Sequence, residues 1–410
     1  MEEGLMMSDE DGGPQQSQSQ GGSFASSSKK KGLNVYCTGR RRSKDVIIYL
    51  GQKQHSSYDA THANTLNASM DSLLNYRKVH QADVIVWHEG DLTREDANAL
   101  EGRTNVRFCL LTNATGWGVP DFVDVEKLPK MVWSLGYRKM IRFYAVTVWP
   151  TLKALGYEWV MRMDDDSFLL SRVPYNLFSA MRDRGDVYGY KMLSAECPRT
   201  FSEFVRSFAS SKEVAERSSR GGLSAAVLER KMAEAGVDVA FVTRCTKFPR
   251  HCRAPYKRQK IRDEVNKLDI DAHPELVAFA VARGMPYCAA IGQYGFYNNF
   301  FITSVDWWLT EPNVVAMIKA FDDSKLIWTH RSNDLIFQTA AIRLFMPPTK
   351  RSRFVDFTYQ HHTMREGAVV YGGIESGTTD AKARRRLHNY AKAYGGEVAT
   401  CQVKARIDSP

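Results

Sequence analysis

Short apolar runs alternate with helical patterns along the first part of the chain, and few architectures accept that alternation. Val46-Ile47-Ile48-Tyr49-Leu50, Ala82 to Trp87, Val106 to Leu111 and Trp159 to Met163 are mainly apolar, the last three with one charged residue each, and carry many β-branched or aromatic residues. Runs of this length without polar alternation read as strands buried on both faces. Between them lie segments of helical spacing. One carries Leu66, Met70, Leu73, Leu74 and Tyr76; another carries Tyr137, Met140, Ile141, Tyr144 and Val148. Strands alternating with helices imply an α/β fold with a parallel sheet covered on both faces. Ligands bind at the carboxyl ends of the strands in such sheets.

Asp164-Asp165-Asp166 follows the strand Trp159 to Met163 and so falls at such an end. Three adjacent carboxylates repel one another, and setting them beside an apolar strand is costly without compensation. A divalent cation supplies it. Asp164 and Asp166, two apart on an extended chain, point to the same side. That pair can grip one hard cation while leaving positions for substrate phosphates. The alternative is an exposed acidic turn. A further reading makes Asp164 the nucleophile of a phosphatase, but such motifs open their domain, whereas three strands precede this one.

The 410 residues suffice for one large α/β domain or two smaller ones. Apolar residues make up 43% of the chain, enough for a full core. The formal charge is +10, which suits anionic partners without choosing among them. Seven cysteines occur with no C-x-x-C pair, so a structural zinc site is not expected. Their odd number and wide spacing fit a reduced protein, or a secretory one with a few bridges and a spare thiol. Asn67-Ala-Ser69 and Asn113-Ala-Thr115 are glycosylation sequons, a weak signal in a chain of this length.

Residues 1–43 are rich in Gly, Ser and Gln and end in basic triplets, a polar tail unable to bury a core. No apolar run approaches the roughly 20 residues that span a bilayer, and the N-terminus lacks the apolar centre of a signal peptide. Residues 191–265 are basic, with few strand signals, and read as an elaborated surface loop. Helices are expected over about 273–283, Asp334 to Leu344 (amphipathic) and 380–394, and strands at Tyr287 to Ile291 and Phe296 to Val305.

Several segments, in order, resemble the fungal α-1,2-mannosyltransferases of glycosyltransferase family 15. Tyr137-Arg138-Lys139-Met140-Ile141-Arg142-Phe143-Tyr144 is similar to that family's Y-R-x-M-x-R-F-Y helix. Trp159 to Ser167 resembles W-x-x-R-[VM]-[ED]-x-D, and Val187-Tyr188-Gly189-Tyr190 resembles V-Y-G-F. Phe296-Tyr297-Asn298-Asn299-Phe300-Phe301-Ile302 is similar to F-W-S-N-F-E-I, and Asp306-Trp307-Trp308 to the D-F-F after it. Arg331-Ser332-Asn333-Asp334 and Tyr359-Gln360-His361 resemble R-W-G-D and Y-R-H. The likeness spans about Asp45 to His362.

The resemblance implies a single GT-A (Rossmann-like) nucleotide-diphospho-sugar transferase domain with a mixed, mainly parallel sheet over residues 44–365, followed by an extension over 366–410. It implies a GDP-mannose donor, Mn²⁺, a glycan or glycoprotein acceptor, retention of anomeric configuration and a Golgi location. It implies no nucleic-acid partner. Asp164 and Asp166 take the places of the acidic metal and nucleotide-sugar residues, and His361, or its neighbour His362, that of a metal-ligating histidine. Carboxylate, imidazole and phosphate ligands form a mixed set that Mn²⁺ accepts. Arg138 and Arg142 lie on one helix face within reach of a diphosphate, with Tyr137 toward the donor. Asn299 and Asp334 are expected on the acceptor side, although Asp334 also reads as a helix N-cap.

The chain departs from the pattern in two places. Phe301 stands where the family has a Glu that is a candidate nucleophile, and a phenyl ring cannot attack an anomeric carbon. Asp334 or Asp306 would then serve, or the leaving group departs by the front face without an enzyme nucleophile, or the sugar specificity has changed. A membrane anchor is also missing, which leaves a cytoplasmic protein as the alternative to a Golgi one. The rival to catalysis is a non-enzymatic binding protein, a degenerate transferase whose basic region grips nucleic acid or an acidic surface.

Overall fold

The computed structural model describes residues 35–52, 62–76, 78–92, 105–130, 134–195, 199–209, 232–241, 294–330, 332–354, 356–357 and 359–361, with a few isolated residues and short strands besides. The expected elements at 273–283, Tyr287 to Ile291 and 380–394, most of the basic region, and His362 lie outside them.

The chain runs β1 (Asp45–Leu50), α1 (His62–Ser72), β2 (Asp83–His88), β3 (Val106–Leu110), α2 (Leu135–Arg142), a π turn (Phe143–Thr147), α3 (Val148–Ala154), β4 (Trp159–Met163) and β5 (Ser167–Leu169). It continues through α4 (Leu177–Arg184), β6 (Tyr188–Tyr190), β7 (Leu193–Ala195), α5 (Arg199–Ala209), β8 (Tyr294–Phe296), β9 (Phe300–Ser304), α6 (Val305–Thr310), α7 (Pro312–Asp323), α8 (Leu326–His330), α9 (Asp334–Phe345), β10 (Arg351–Arg353) and β11 (Tyr359–His361). A seven-stranded sheet has the order β10-β6-β9-β4-β1-β2-β3. Its β4-β1-β2-β3 half is parallel, and β9 runs against both its neighbours. The fold is therefore α/β with a mixed, mainly parallel sheet.

The apolar runs are explained by burial on both faces. Val46, Ile48, Ile85 and Trp87 enter one core with Ile141, Tyr144, Trp149, Trp308 and Phe337. The alternate residues Ile47, Tyr49, Val84 and Val86 enter a second core with Leu66 and Met70 of α1 and Phe178 and Met181 of α4. A second sheet pairs β5 with β11 in antiparallel register, His361 opposite Ser167. That pairing brings a distant C-terminal segment beside the acidic turn.

Three expectations change. The ordered fold begins before residue 44: Val35 packs on the larger core, Thr38 N donates to Phe108 O at 2.8 Å, and Cys37 is disulfide-bonded to Cys109. The segment after residue 190 opens as part of the fold rather than as surface loop. Lys191 is buried, and α5 buries Phe201, Val205 and Ala209, with the Phe204 ring tilted against that of Phe321, centroids 5.5 Å apart. Finally, α9 is buried along its whole length from Asp334 to Leu344, Gln338 and Arg343 included, so it is a core helix and not an amphipathic one.

Candidate active site

The acidic triplet forms a turn rather than an extended stretch. Ser167 N donates to Asp164 O at 3.0 Å, closing the turn between β4 and β5. The turn leaves Asp164 and Asp166 half-buried and sends Asp165 inward, where it is buried. Asn299 fastens it from the β9 side, its carbonyl accepting from Asp164 N at 3.2 Å and from Ser167 Oγ at 3.4 Å. Ser69 of α1 fastens it from below, donating to Ser167 O and to Asp164 O.

His361 completes a cluster with Asp164 and Asp166. Its Nε2 lies 2.9 Å from Asp166 Oδ1 and 3.8 Å from Asp164 Oδ2. One ligand atom from each of the three falls within 4.8 Å of the others, a fit for one cation. Tyr297 Oη sits 2.7 Å from His361 Nδ1, and Asn299 Nδ2 sits 3.0 Å from Nε2 and donates to Asp164 Oδ2. A proton on Nδ1 shared with Tyr297 leaves Nε2 free to ligate, the usual way a neighbour fixes a histidine tautomer. Burial pulls the His361 pKa down, but the Asp166 and Asp164 carboxylates outweigh it and hold the imidazole above its ordinary value. A bound cation would displace that proton.

Asp334 lies behind this cluster. It is the first residue of α9, not the cap: Asn333 caps, its Oδ1 accepting from Ile336 N at 3.1 Å. Its carboxylate is buried, accepting from Arg162 Nη1 at 2.6 Å and Asn298 Nδ2 at 2.7 Å. The same Arg162 donates through Nε to Asp164 Oδ1 at 2.8 Å. Sequence reasoning passed over Arg162, Asn298 and Tyr297. The signal for Arg162 was present: an arginine within an apolar strand needs a buried counter-ion.

The α2 arginines are committed elsewhere. Arg138 is buried and donates to Trp328 O at 2.9 Å and Pro129 O at 3.2 Å. Arg142 donates to both oxygens of Asp322 at 2.8 Å and to Gly116 O at 3.1 Å. Both tie the helix to neighbouring segments. Tyr137 is partly buried on the larger core, about 10 Å up the helix from Tyr144.

Phe301 is buried, its ring 5.7 Å from Tyr188 and 6.3 Å from Trp149. It pairs with Arg162 across the antiparallel β4–β9 ladder, so both side chains leave the same face. A glutamate there would neighbour Arg162; in this chain Arg162 turns to Asp334. Asp306 is excluded as the substitute carboxylate. It follows the end of β9, which pairs with the beginning of β4, so about 13 Å of strand separates it from the acidic turn. It is bound to Lys153 at 2.6 Å.

Residues 89–214 match a family model described as glycolipid 2-alpha-mannosyltransferase. The probable mannosyltransferase KTR3 of Saccharomyces cerevisiae is 27% identical over 95 residues, 20% of this chain and 24% of that protein. The O-glycoside alpha-1,2-mannosyltransferase homolog 5 of Schizosaccharomyces pombe is 19% identical over 317 residues, 74% of this chain and 68% of that protein. The chain thus matches about a quarter of the first relative and about two thirds of the second. Among solved structures, core-mannan synthase A of Aspergillus fumigatus in its Mn/GDP form superposes with a TM-score of 0.55 at 16% identity, covering 79% of this chain and 76% of that one. The mannosyltransferase Ktr4p of S. cerevisiae gives 0.53 at 16% identity, covering 79% and 72%. These likenesses place the fold in the GT-A class.

Proposed function

We propose that this chain, which resembles the fungal α-1,2-mannosyltransferases in motifs and fold, is a Mn²⁺-assisted glycosyltransferase that moves mannose from GDP-mannose to a hydroxyl of a glycan or glycoprotein, with retention. The observation that carries the proposal is the convergence of Asp164, Asp166 and His361 on one point at the carboxyl end of β4. That is where an α/β sheet binds its ligand. A cation held there supplies the positive charge that a departing diphosphate needs.

The chain's own residues set up that site. Asn299 holds Asp164 Oδ2 and His361 Nε2 toward a common point, and Tyr297 fixes the histidine tautomer. With Arg138 and Arg142 committed elsewhere, the diphosphate charge falls to the cation, and Tyr137 is assigned to the donor side. A phosphatase role for Asp164 is disfavoured, because Arg162 and Asn299 occupy its two oxygens. The Cys37–Cys109 bridge suits an oxidising lumen such as the Golgi. No helix among the described residues is long and apolar enough to cross a membrane.

Turnover of a panel of nucleotide sugars with Mn²⁺, by the wild type and Asp166→Ala, tests the proposal. GDP-mannose is expected to be consumed only with the cation and only by the wild type. Consumption of no donor, or equal consumption by both, would reject it.

A further inference from the structure

Asp164 is gripped from behind by a layer that has no counterpart in the metal-binding motif. The Arg162 guanidinium bonds Asp164 Oδ1 on one side and Asp334 Oδ2 on the other. It lies 3.5 Å over the Tyr144 ring, with its side chain 4% exposed. Asn298 Nδ2 joins Asp334 to Gln338 Oε1 at 3.3 Å, and Gln338 Nε2 donates to Tyr144 O at 3.1 Å in the π turn. The network thus closes on itself through β4, α9 and the π turn.

A guanidinium buried this deeply stays in place only with counter-charge. Were Asp164 its sole partner, the two would neutralise each other and Asp164 would attract a cation weakly. Asp334 changes that balance. It takes up the charge of Arg162, so Asp164 and Asp166 keep theirs for the ion. The bond to Oδ1 also fixes the Asp164 rotamer and turns Oδ2 toward Asn299 and His361.

We propose that Arg162 and Asp334 form a charge-compensating brace that sets the cation affinity of the site, and that Asp334 is a positioning residue acting through Arg162 without touching substrate. The inference rests on the reading that Asp164, Asp166 and His361 hold the cation.

The test titrates Mn²⁺ alone into the full chain and follows free Mn²⁺ by electron paramagnetic resonance, with circular dichroism reporting the fold. Wild type is expected to bind one ion, and Asp166→Ala to lose that binding. Absence of binding by wild type would remove the site reading and the brace with it. Asp334→Asn keeps the shape and removes the charge; it is expected to weaken Mn²⁺ binding about tenfold, as removal of an outer-shell partner does. Arg162→Lys keeps the charge but cannot fork between two carboxylates, and a similar loss is expected. The double variant should be no worse than the poorer single one, because both act along one path. Mn²⁺ affinity of folded Asp334→Asn within twofold of wild type, with donor turnover lost, would overturn the proposal by showing that Asp334 works on substrate. Where Arg162→Lys does not fold, Asp334→Asn alone decides.

Discussion

Arg142 and Arg162 come from neighbouring motif segments, and each binds carboxylate. Arg142 gives Nε and Nη2 to the two oxygens of one partner, Asp322, both at 2.8 Å. Arg162 divides its donors between two partners, Asp164 at 2.8 Å and Asp334 at 2.6 Å. The first arrangement is a closed fork that fastens α2 to α7 and has no remaining reach toward a ligand. The second leaves Asp164 Oδ2 turned outward. The geometry of the partners, and not the residue type, therefore separates a structural arginine from one that serves the proposed metal site.

The contrast can be broken or sharpened by measurement. The largest effect belongs to the cluster itself. Asp166→Ala is expected to cut Mn²⁺-dependent donor turnover by about three orders of magnitude, roughly 4 kcal/mol of lost transition-state stabilisation. Steady-state kinetics across a Mn²⁺ titration would show it. Arg142→Ala comes next and should act on stability alone. It strands a largely buried Asp322, at a cost of about 3 kcal/mol read from urea unfolding. Its Mn²⁺ affinity should match wild type; a weakened affinity would erase the distinction between the two arginines.

Tyr297→Phe removes the partner of His361 Nδ1 and keeps the ring. A loss of about tenfold in Mn²⁺ affinity is expected by calorimetry, with little change in melting temperature. The smallest effect is the pH dependence of the same histidine. Despite burial, Asp166 and Asp164 raise its pKa above the ordinary 6.5. Without metal, the stability from the protonated imidazole is fully present below 6.5 and is lost as pH rises through the raised value. Mn²⁺ requires the neutral ring, so its affinity should move the other way and grow over the same range. Melting curves from about pH 5.5 to about 8.5, with and without Mn²⁺, should therefore slope oppositely for the His361 contribution. Parallel slopes would remove His361 from the site.

Much of this was legible in the chain. The mainly apolar runs of β1, β2 and β4, with no regular polar alternation, required a sheet covered on both faces, since such alternation would have marked a solvated side. The acid triplet after β4 fell at the ligand-binding end for the same reason. The place of His361 beside the acidic turn was legible only through family resemblance, because nearly 200 residues separate it from Asp166 and no local spacing links them. The buried α9 was misjudged for a related cause. Its polar residues Gln338 and Asp334 resemble a solvated face until their partners, Asn298, Tyr144 and Arg162, are known.

The sequence by itself determined the class of fold and the location of the acidic turn. Both follow from hydrophobic periodicity and the cost of adjacent charges, which act over a few residues. Tertiary structure alone decided the rest of the site. The pairing of β11 with β5 brought His361 to the turn, β9 placed Asn299 against Asp164 and His361 and Phe301 in the core, and α9 delivered Asp334 to Arg162. Such choices depend on which chain segments become neighbours across the sheet, and no short-range pattern encodes them.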